Sequence, residues 1–245
     1  MKTLGLLGEK LGYSFSKPFF DAKFKTLGLT QIEYLNFEIQ KIDLMPIISK
    51  QYDLIGLNIT MPYKNQVVQF TNNILGIAND LQCVNTLVFS NNNCIGYNTD
   101  IPAFLETLKP YKLNLKPIII LGTGAMAKAL QTALQITLHK KIYLVGQQKG
   151  DFTYQNLTDD VIKDAQMLIN TTPLGTFPEI NSAPNINYDA LQEHQILYDL
   201  VYNPKTTHFL QKGLKKKCHI INGLEMLYLQ AEMSFKIWQK YHIIY

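Results

Sequence analysis

Short apolar runs alternate along the chain with longer stretches in which apolar residues recur every three or four positions. That alternation predicts βα units and an α/β fold of two domains on mostly parallel sheets. The first strand falls at Thr3–Leu7, and a helix follows the Ser14–Ser16 loop with Phe19, Phe20 and Phe24 facing inward. A strand over Glu33–Phe37, a helix over Asp43–Lys50 and a strand over Leu54–Asn58 come next. Thr60-Met61-Pro62 reads as a helix start, with Thr60 as cap and Pro62 in the first turn. Cys83–Phe89 and Cys94–Tyr97, joined by Asn91-Asn92-Asn93, read as a hairpin. A second unit opens near Lys116 with the strand Pro117–Leu121, a Gly-rich turn and a helix from Ala125 to about Thr137. Further strands are expected at Lys141–Val145, Met167–Ile169, Ile196–Leu200 and His219–Ile221. The helix Asn98–Lys109 bridges the two sheets, so one domain spans residues 1–100 and the other 101–223, with a cleft expected between them. A final amphipathic helix, Leu224–Tyr241 within residues 224–245, is expected to return to the first domain.

Composition narrows the chemistry. With 47% hydrophobic and 17% charged residues in 245, the chain can build a core. A net charge of +4 gives no electrostatic case for nucleic acid or a membrane surface. No apolar run approaches the ~18 residues of a membrane span. Every basic residue is Lys and Arg is absent, so a phosphate must be held by Lys, backbone N–H groups or neutral donors. Cys83, Cys94 and Cys218 form no close pair, which suits a reducing, cytoplasmic setting. The five histidines sit in no nucleophilic or metal-ligand spacing, and no metal is expected.

Three motifs carry candidate chemistry. Gly122-Thr123-Gly124-Ala125-Met126-Ala127 fits G-x-G-x-x-A between a strand and a helix. There the first Gly makes the tight turn, the second admits a pyrophosphate to the backbone, and the helix N-terminus favours the anion. After the next strand comes Gly146-Gln147-Gln148-Lys149, with no acid before Asp151 to take ribose hydroxyls, which leans towards NADP over NAD. Asn58-Ile59-Thr60-Met61-Pro62-Tyr63-Lys64 ends a strand in polar groups. Lys64 reads either as a surface residue or as a proton donor and acceptor, the latter where its surroundings lower its pKa toward neutrality. Asp100 in Gly96-Tyr97-Asn98-Thr99-Asp100 reads as a helix N-cap, as a partner that orients Lys64, or as both.

Taken in order, the segments resemble the shikimate dehydrogenase family over nearly the whole chain. Ser14-Phe15-Ser16 is similar to the family's S-x-S loop, and Asn58 through Lys64 to its N-[VI]-T-x-P-x-K. Val84-Asn85-Thr86, Gly96 through Asp100 and Asn170-Thr171-Thr172-Pro173-Leu174-Gly175 resemble A-V-N-T, G-x-N-T-D and N-[AT]-T-P-x-G. Asp199 through Pro204 with Thr207, then Gly223 through Leu227 with Gln230, resemble the closing D-x-x-Y-x-P-x-x-T and G-x-x-M-L-x-x-Q patterns. The resemblance implies a substrate domain followed by a Rossmann-type NADP domain. It also implies NADPH-dependent, reversible reduction of 3-dehydroshikimate to shikimate in aromatic amino-acid biosynthesis. Lys64 and Asp100 would be the catalytic pair. Ser14, Ser16, Asn58, Thr60, Asn85, Tyr202 and Gln230 would join them in holding the small-molecule substrate. Gly122, Thr123, Gly124, Ala125 and Met126 would take the pyrophosphate, with Lys149 at the 2′-phosphate and Leu200 and Gly223 against the nicotinamide. The chain would act as a monomer or homodimer.

The sequence departs from that pattern in places. Tyr13 stands where the family has His, Lys17-Pro18 replaces an immediate Pro, and Gln82-Cys83 replaces Gly-Ala. Ala125 stands where a further Gly is common. Gly146-Gln147-Gln148 replaces an N-R-T phosphate clamp, so the bidentate grip of Arg on a 2′-phosphate is lost and NAD stays open as a cofactor. Two alternatives follow, an NAD-linked quinate or quinate/shikimate dehydrogenase and a non-catalytic ligand-binding homologue.

Overall fold

The computed structural model describes residues 1–12 and 14–242, so the Tyr13 departure lies outside the described residues. The chain forms two units, one of residues 1–103 with those from 228 onward, the other of residues 104–227.

In the first unit the strands are β1 (Lys2–Gly8), β2 (Ile32–Glu38), β3 (Leu54–Ile59), β4 (Asn73–Ile74), β5 (Thr86–Ser90) and β6 (Asn93–Tyr97). Its helices are α1 (Ser16–Leu27), α2 (Met45–Gln51) and α3 (Ile77–Leu81), and α4 (Asp100–Leu108) begins here and runs into the second unit. The sheet order is β2-β1-β3-β5-β6-β4. The strands β1, β2 and β3 pair parallel, and β5 pairs antiparallel with both β3 and β6. Strand β3 is buried along its whole length, as expected of a strand covered on both faces, whereas the edge strand β2 alternates. One face packs Leu4, Leu6, Ile55 and Tyr34 against Phe20 and Phe24 of α1 and against Ala231, Phe235 and Trp238 of the last helix. The other face packs Leu7, Leu57, Ile59 and Leu87 against Met45, Tyr63, Val67 and Ala78. Trp238 is fully buried, which contributes roughly 1.5–3 kcal/mol, and its Nε1 donates to the Leu87 carbonyl at 2.9 Å.

In the second unit the strands are β7 (Ile118–Leu121), β8 (Ile142–Gly146), β9 (Phe152–Thr153), β10 (Met167–Asn170), β11 (Ile196–Asp199) and β12 (His219–Asn222). Its helices are α5 (Ala125–Leu138), α6 (Asp159–Asp164) and α7 (His208–Lys215), and α8 (Leu224–Tyr241) leads from it back to the first unit. All six strands pair parallel in the order β12-β11-β10-β7-β8-β9. The order reverses between β7 and β10, where open parallel sheets place ligands at the carboxyl ends of the strands.

The hairpin is present as β5–β6, and both turn residues Asn91 and Asn92 take positive φ, which suits Asn. Three local expectations are corrected. Thr60 caps no helix: its carbonyl accepts the Tyr63 N–H at 3.0 Å in a turn containing a cis Met61–Pro62 bond, and a short 3₁₀ helix follows only at Gln66–Phe70. The helix expected over Asp43–Lys50 is a 3₁₀ turn, Ile42–Leu44, followed by α2, whose Pro46 needs no N–H in the first turn. The side chain that caps α4 is Asn98, whose Oδ1 accepts the Ile101 N–H at 3.1 Å, rather than Asp100.

Candidate active site

Lys64 and Asp100 meet in the first unit, Nζ to Oδ2 2.8 Å, with side-chain exposures of 22% and 11%. Each is set by its own anchor. The turn after β3 is pinned by Tyr63, which is buried and donates its hydroxyl to the Ile39 carbonyl at 2.6 Å. The Lys64 carbonyl then accepts the Val84 N–H at 2.8 Å. On the other side, Asn85 Oδ1 accepts the Thr99 N–H at 2.7 Å, and Asn98 Nδ2 donates to the Cys83 carbonyl at 3.0 Å. These bonds place Asp100 in the first turn of α4, where the helix dipole favours a carboxylate.

The electrostatics of the pair follow from this contact. Burial pulls the Lys64 ammonium down, but the charge and hydrogen bond of Asp100 outweigh it and hold its pKa above the ordinary lysine value. Lys64 is therefore a stably protonated donor near neutrality rather than an amine tuned toward pH 7. Burial also raises the adjacent Cys83 thiol.

The other expected substrate residues of this unit divide into a buried and a partly exposed set. Asn58 and Asn85 are 5% and 3% exposed and lie within a hydrogen-bonded cluster. Asn58 Oδ1 accepts from the Tyr34 hydroxyl at 2.8 Å, and its Nδ2 donates to Ser234 Oγ at 3.0 Å and reaches Thr86 Oγ1 at 3.3 Å. Asn85 Nδ2 donates to Thr99 Oγ1 at 2.9 Å. Ser14, Ser16, Thr60 and Gln230 are partly exposed. Ser14 Oγ accepts the Ser16 N–H at 3.2 Å, and a Ser16 hydrogen bond opposes the burial that pushes the Tyr34 hydroxyl well above its ordinary pKa. Tyr34, Thr86, Thr99 and Ser234 were not singled out by the sequence as site residues. Thr86 and Thr99 stand inside the matched motifs, whereas Tyr34 and Ser234 carry no local signal.

In the second unit, Gly122 leaves β7 at φ +122°, and a Cβ there would lie 2.4 Å from Thr171 Oγ1, so this turn needs Gly. Thr171 follows β10 and donates through both N–H and hydroxyl to the Leu121 carbonyl, joining the two strand ends at the switch point. Gly124 has open space beside its Cα. No side chain caps α5 and its first turn holds no acid, so its N–H groups are left for an anion. Thr123 and Met126 are partly exposed and Ala125 is exposed beside this turn. Leu200 and Gly223 pack directly, the space for a Gly223 Cβ being filled by the Leu200 carbonyl 2.2 Å away. Lys149 is exposed in the turn after β8, and Asp151 Oδ2 accepts the Leu144 N–H at 2.8 Å. Tyr202 belongs to this unit and is 38% exposed.

A parallel sheet with a Gly-x-Gly turn at its switch point in one unit, and a Lys–Asp pair in a polar cluster in the other, define the class: a dinucleotide-dependent α/β oxidoreductase. The family model for the shikimate dehydrogenase substrate binding domain matches residues 6–87. A shikimate dehydrogenase (NADP(+)) of Clostridium beijerinckii is 35% identical, over 98% of this chain and 93% of that protein. The chain belongs to the shikimate dehydrogenase family. The crystal structure of shikimate 5-dehydrogenase from Thermus thermophilus with NADP(H) and shikimate is similar at a TM-score of 0.83 and 25% identity, covering 98% of this chain and 94% of that one. Quinate dehydrogenase from Corynebacterium glutamicum, in complex with NAD, shares the fold at a TM-score of 0.87 and 21% identity, covering 98% and 95%. Among the described residues no helix is long and apolar enough to cross a membrane.

Proposed function

We propose that this chain is a shikimate dehydrogenase, catalysing the reversible NADPH-dependent reduction of 3-dehydroshikimate to shikimate in aromatic amino-acid biosynthesis. The observation that carries the reading is the 2.8 Å contact between Lys64 and Asp100 beside a cluster of hydroxyl and amide groups. In reduction, the Lys64 ammonium gives a proton to the carbonyl oxygen of the substrate, and in oxidation its amine takes the proton from the ring hydroxyl. Asp100 holds the ammonium in place and keeps it charged. The partly exposed Ser14, Ser16, Thr60 and Gln230 bind the carboxylate and hydroxyls of the substrate. Asn58 and Asn85, whose amides are largely spent inside the protein, set the shape of this polar surface.

The open backbone at Gly124 and the uncapped start of α5 fit the pyrophosphate of NADP. NADP(H), when bound, supplies or accepts the hydride. Gly122, Thr123, Ala125 and Met126 complete the pyrophosphate cradle, while Leu200 and Gly223, whose backbones approach closely, lie against the nicotinamide. Lys149 supplies the charge for the 2′-phosphate. No carboxylate stands directly at the end of β8, where an NAD site places one for the ribose hydroxyls. The Gly146-Gln147-Gln148 turn, which lacks an Arg, favours a second reading in which NAD is also used. Initial rates with shikimate or quinate, each with NADP or NAD, test both. The expected order places shikimate with NADP first, and turnover chiefly of quinate with NAD would replace the first reading with the second.

A further inference from the structure

We infer that Ser234 of α8 is a positioning residue for substrate binding, an inference that rests on the shikimate reading above. Ser234 is fully buried and lies four residues beyond Gln230 on the same helix. Its hydroxyl is within hydrogen-bond distance of four groups: Asn58 Nδ2 at 3.0 Å, Thr86 Oγ1 at 2.8 Å, Thr99 Oγ1 at 3.2 Å and the Gln230 carbonyl at 2.9 Å. A serine hydroxyl has one proton and two lone pairs. Donation to Gln230 leaves two lone pairs, enough for Asn58 and one of the two threonines, so the group is used to capacity.

The bonds converge on the segments that shape the site. Asn58 closes β3 ahead of the Lys64 turn, Thr86 pairs with it in the sheet register, and Thr99 immediately precedes Asp100. Thr86 and Thr99 both also bond Asn85. A helix from the far end of the sequence thus fixes the β3, β5 and α4 termini through one oxygen. Replacing Ser234 by Ala leaves the Asn58 amide and a threonine hydroxyl short of a partner in a buried place, where they turn to other acceptors and shift.

The test compares wild type, Ser234→Ala, Ser234→Cys and Ser234→Thr by steady-state kinetics, by equilibrium titration with shikimate alone and by thermal melting. Ser234→Ala is expected to raise both the KM and the Kd for shikimate about tenfold, the scale of one or two lost hydrogen bonds, with kcat changed less than about twofold and the NADP KM unchanged. Ser234→Thr keeps the hydroxyl but adds a methyl to a full core. It should melt lower while holding the shikimate KM near wild type, so that across the Ala and Thr variants KM follows the hydroxyl and not the melting temperature, which a purely structural role would not produce. Should Ser234→Ala not accumulate as folded protein, Ser234→Cys preserves the volume with a weak donor and carries the same comparison. Wild-type shikimate affinity in both the Ala and Cys variants overturns the inference, as does a loss confined to kcat. A wild-type protein that neither binds nor turns over shikimate overturns the functional reading and the inference with it.

Discussion

Lys64 and Asp100 stand 36 positions apart and 2.8 Å from each other because both are tied to one short segment, Cys83–Asn85. The backbone of Val84 holds Lys64, the side chain of Asn85 holds Thr99, and the carbonyl of Cys83 holds Asn98. The pair is thus set by the segment that leads into β5, and its electrostatics follow from the contact. Since Asp100 holds the Lys64 pKa above the ordinary value, the protonated donor that reduction requires persists into alkaline solution and is lost only as the pH rises through that raised pKa. Shikimate oxidation, which needs the free amine, should therefore accelerate as the pH rises. Asp100→Asn removes the charge that opposes burial, so its pH profile should shift to lower pH in both directions, with kcat reduced. A profile in the same place as wild type would show that Asp100 does not set the charge of Lys64.

Lys149 is the charged residue of the turn after β8, and Arg is absent from the chain. An exposed lysine acts as a point charge whose reach shrinks with salt. Lys149→Ala should raise the KM for NADP about five- to tenfold at low ionic strength, leave the KM for NAD unchanged, and differ less from wild type at ~0.5 M salt. An equal loss for both cofactors would assign Lys149 to another part of the dinucleotide.

Asp199 gives a stability signature of its own. Burial lifts its carboxyl to about 6, against hydrogen bonds from Thr207, the Val201 N–H and Asn170. The folded state therefore favours the protonated form. That contribution is present below the ordinary value of 3.8 and is lost as the pH rises through about 6. Wild type should lose about 2 kcal/mol relative to Asp199→Asn between pH 4 and pH 7. Urea titrations at several pH values measure that difference, and one that does not vary with pH would contradict the assignment.

Much of this was legible in the sequence, for identifiable reasons. The buried run Ile118–Leu121 has the apolar continuity of a covered parallel strand, and Gly122-Thr123-Gly124 is local chemistry that needs no partner to be read. The turn at Met61–Pro62 was read as a helix start because Thr followed by Pro satisfies a capping pattern, while its actual geometry depends on Tyr63 reaching Ile39. The direction of the Lys64 pKa shift is not legible locally, because position suggests burial whereas the opposing carboxylate comes from another element. Ser234 was invisible for a stronger reason. It looks like a small polar residue within an amphipathic helix, and its partner Asn58 lies 176 positions away. Local pattern reports elements and motifs; the bonds that lock them together are set by topology.

The role proposed for Lys64 is to carry the proton in an NADP-linked reaction of shikimate. The most direct test is the initial rate of shikimate-dependent NADP reduction by wild type and by Lys64→Ala, with thermal melting to confirm that the variant is folded. Proton transfer by a placed side chain contributes about 10²–10⁴-fold, so the variant should lose that much kcat with a smaller change in KM. A folded Lys64→Ala protein that keeps wild-type kcat, or that changes in KM alone, would contradict the account and leave Lys64 a binding residue only.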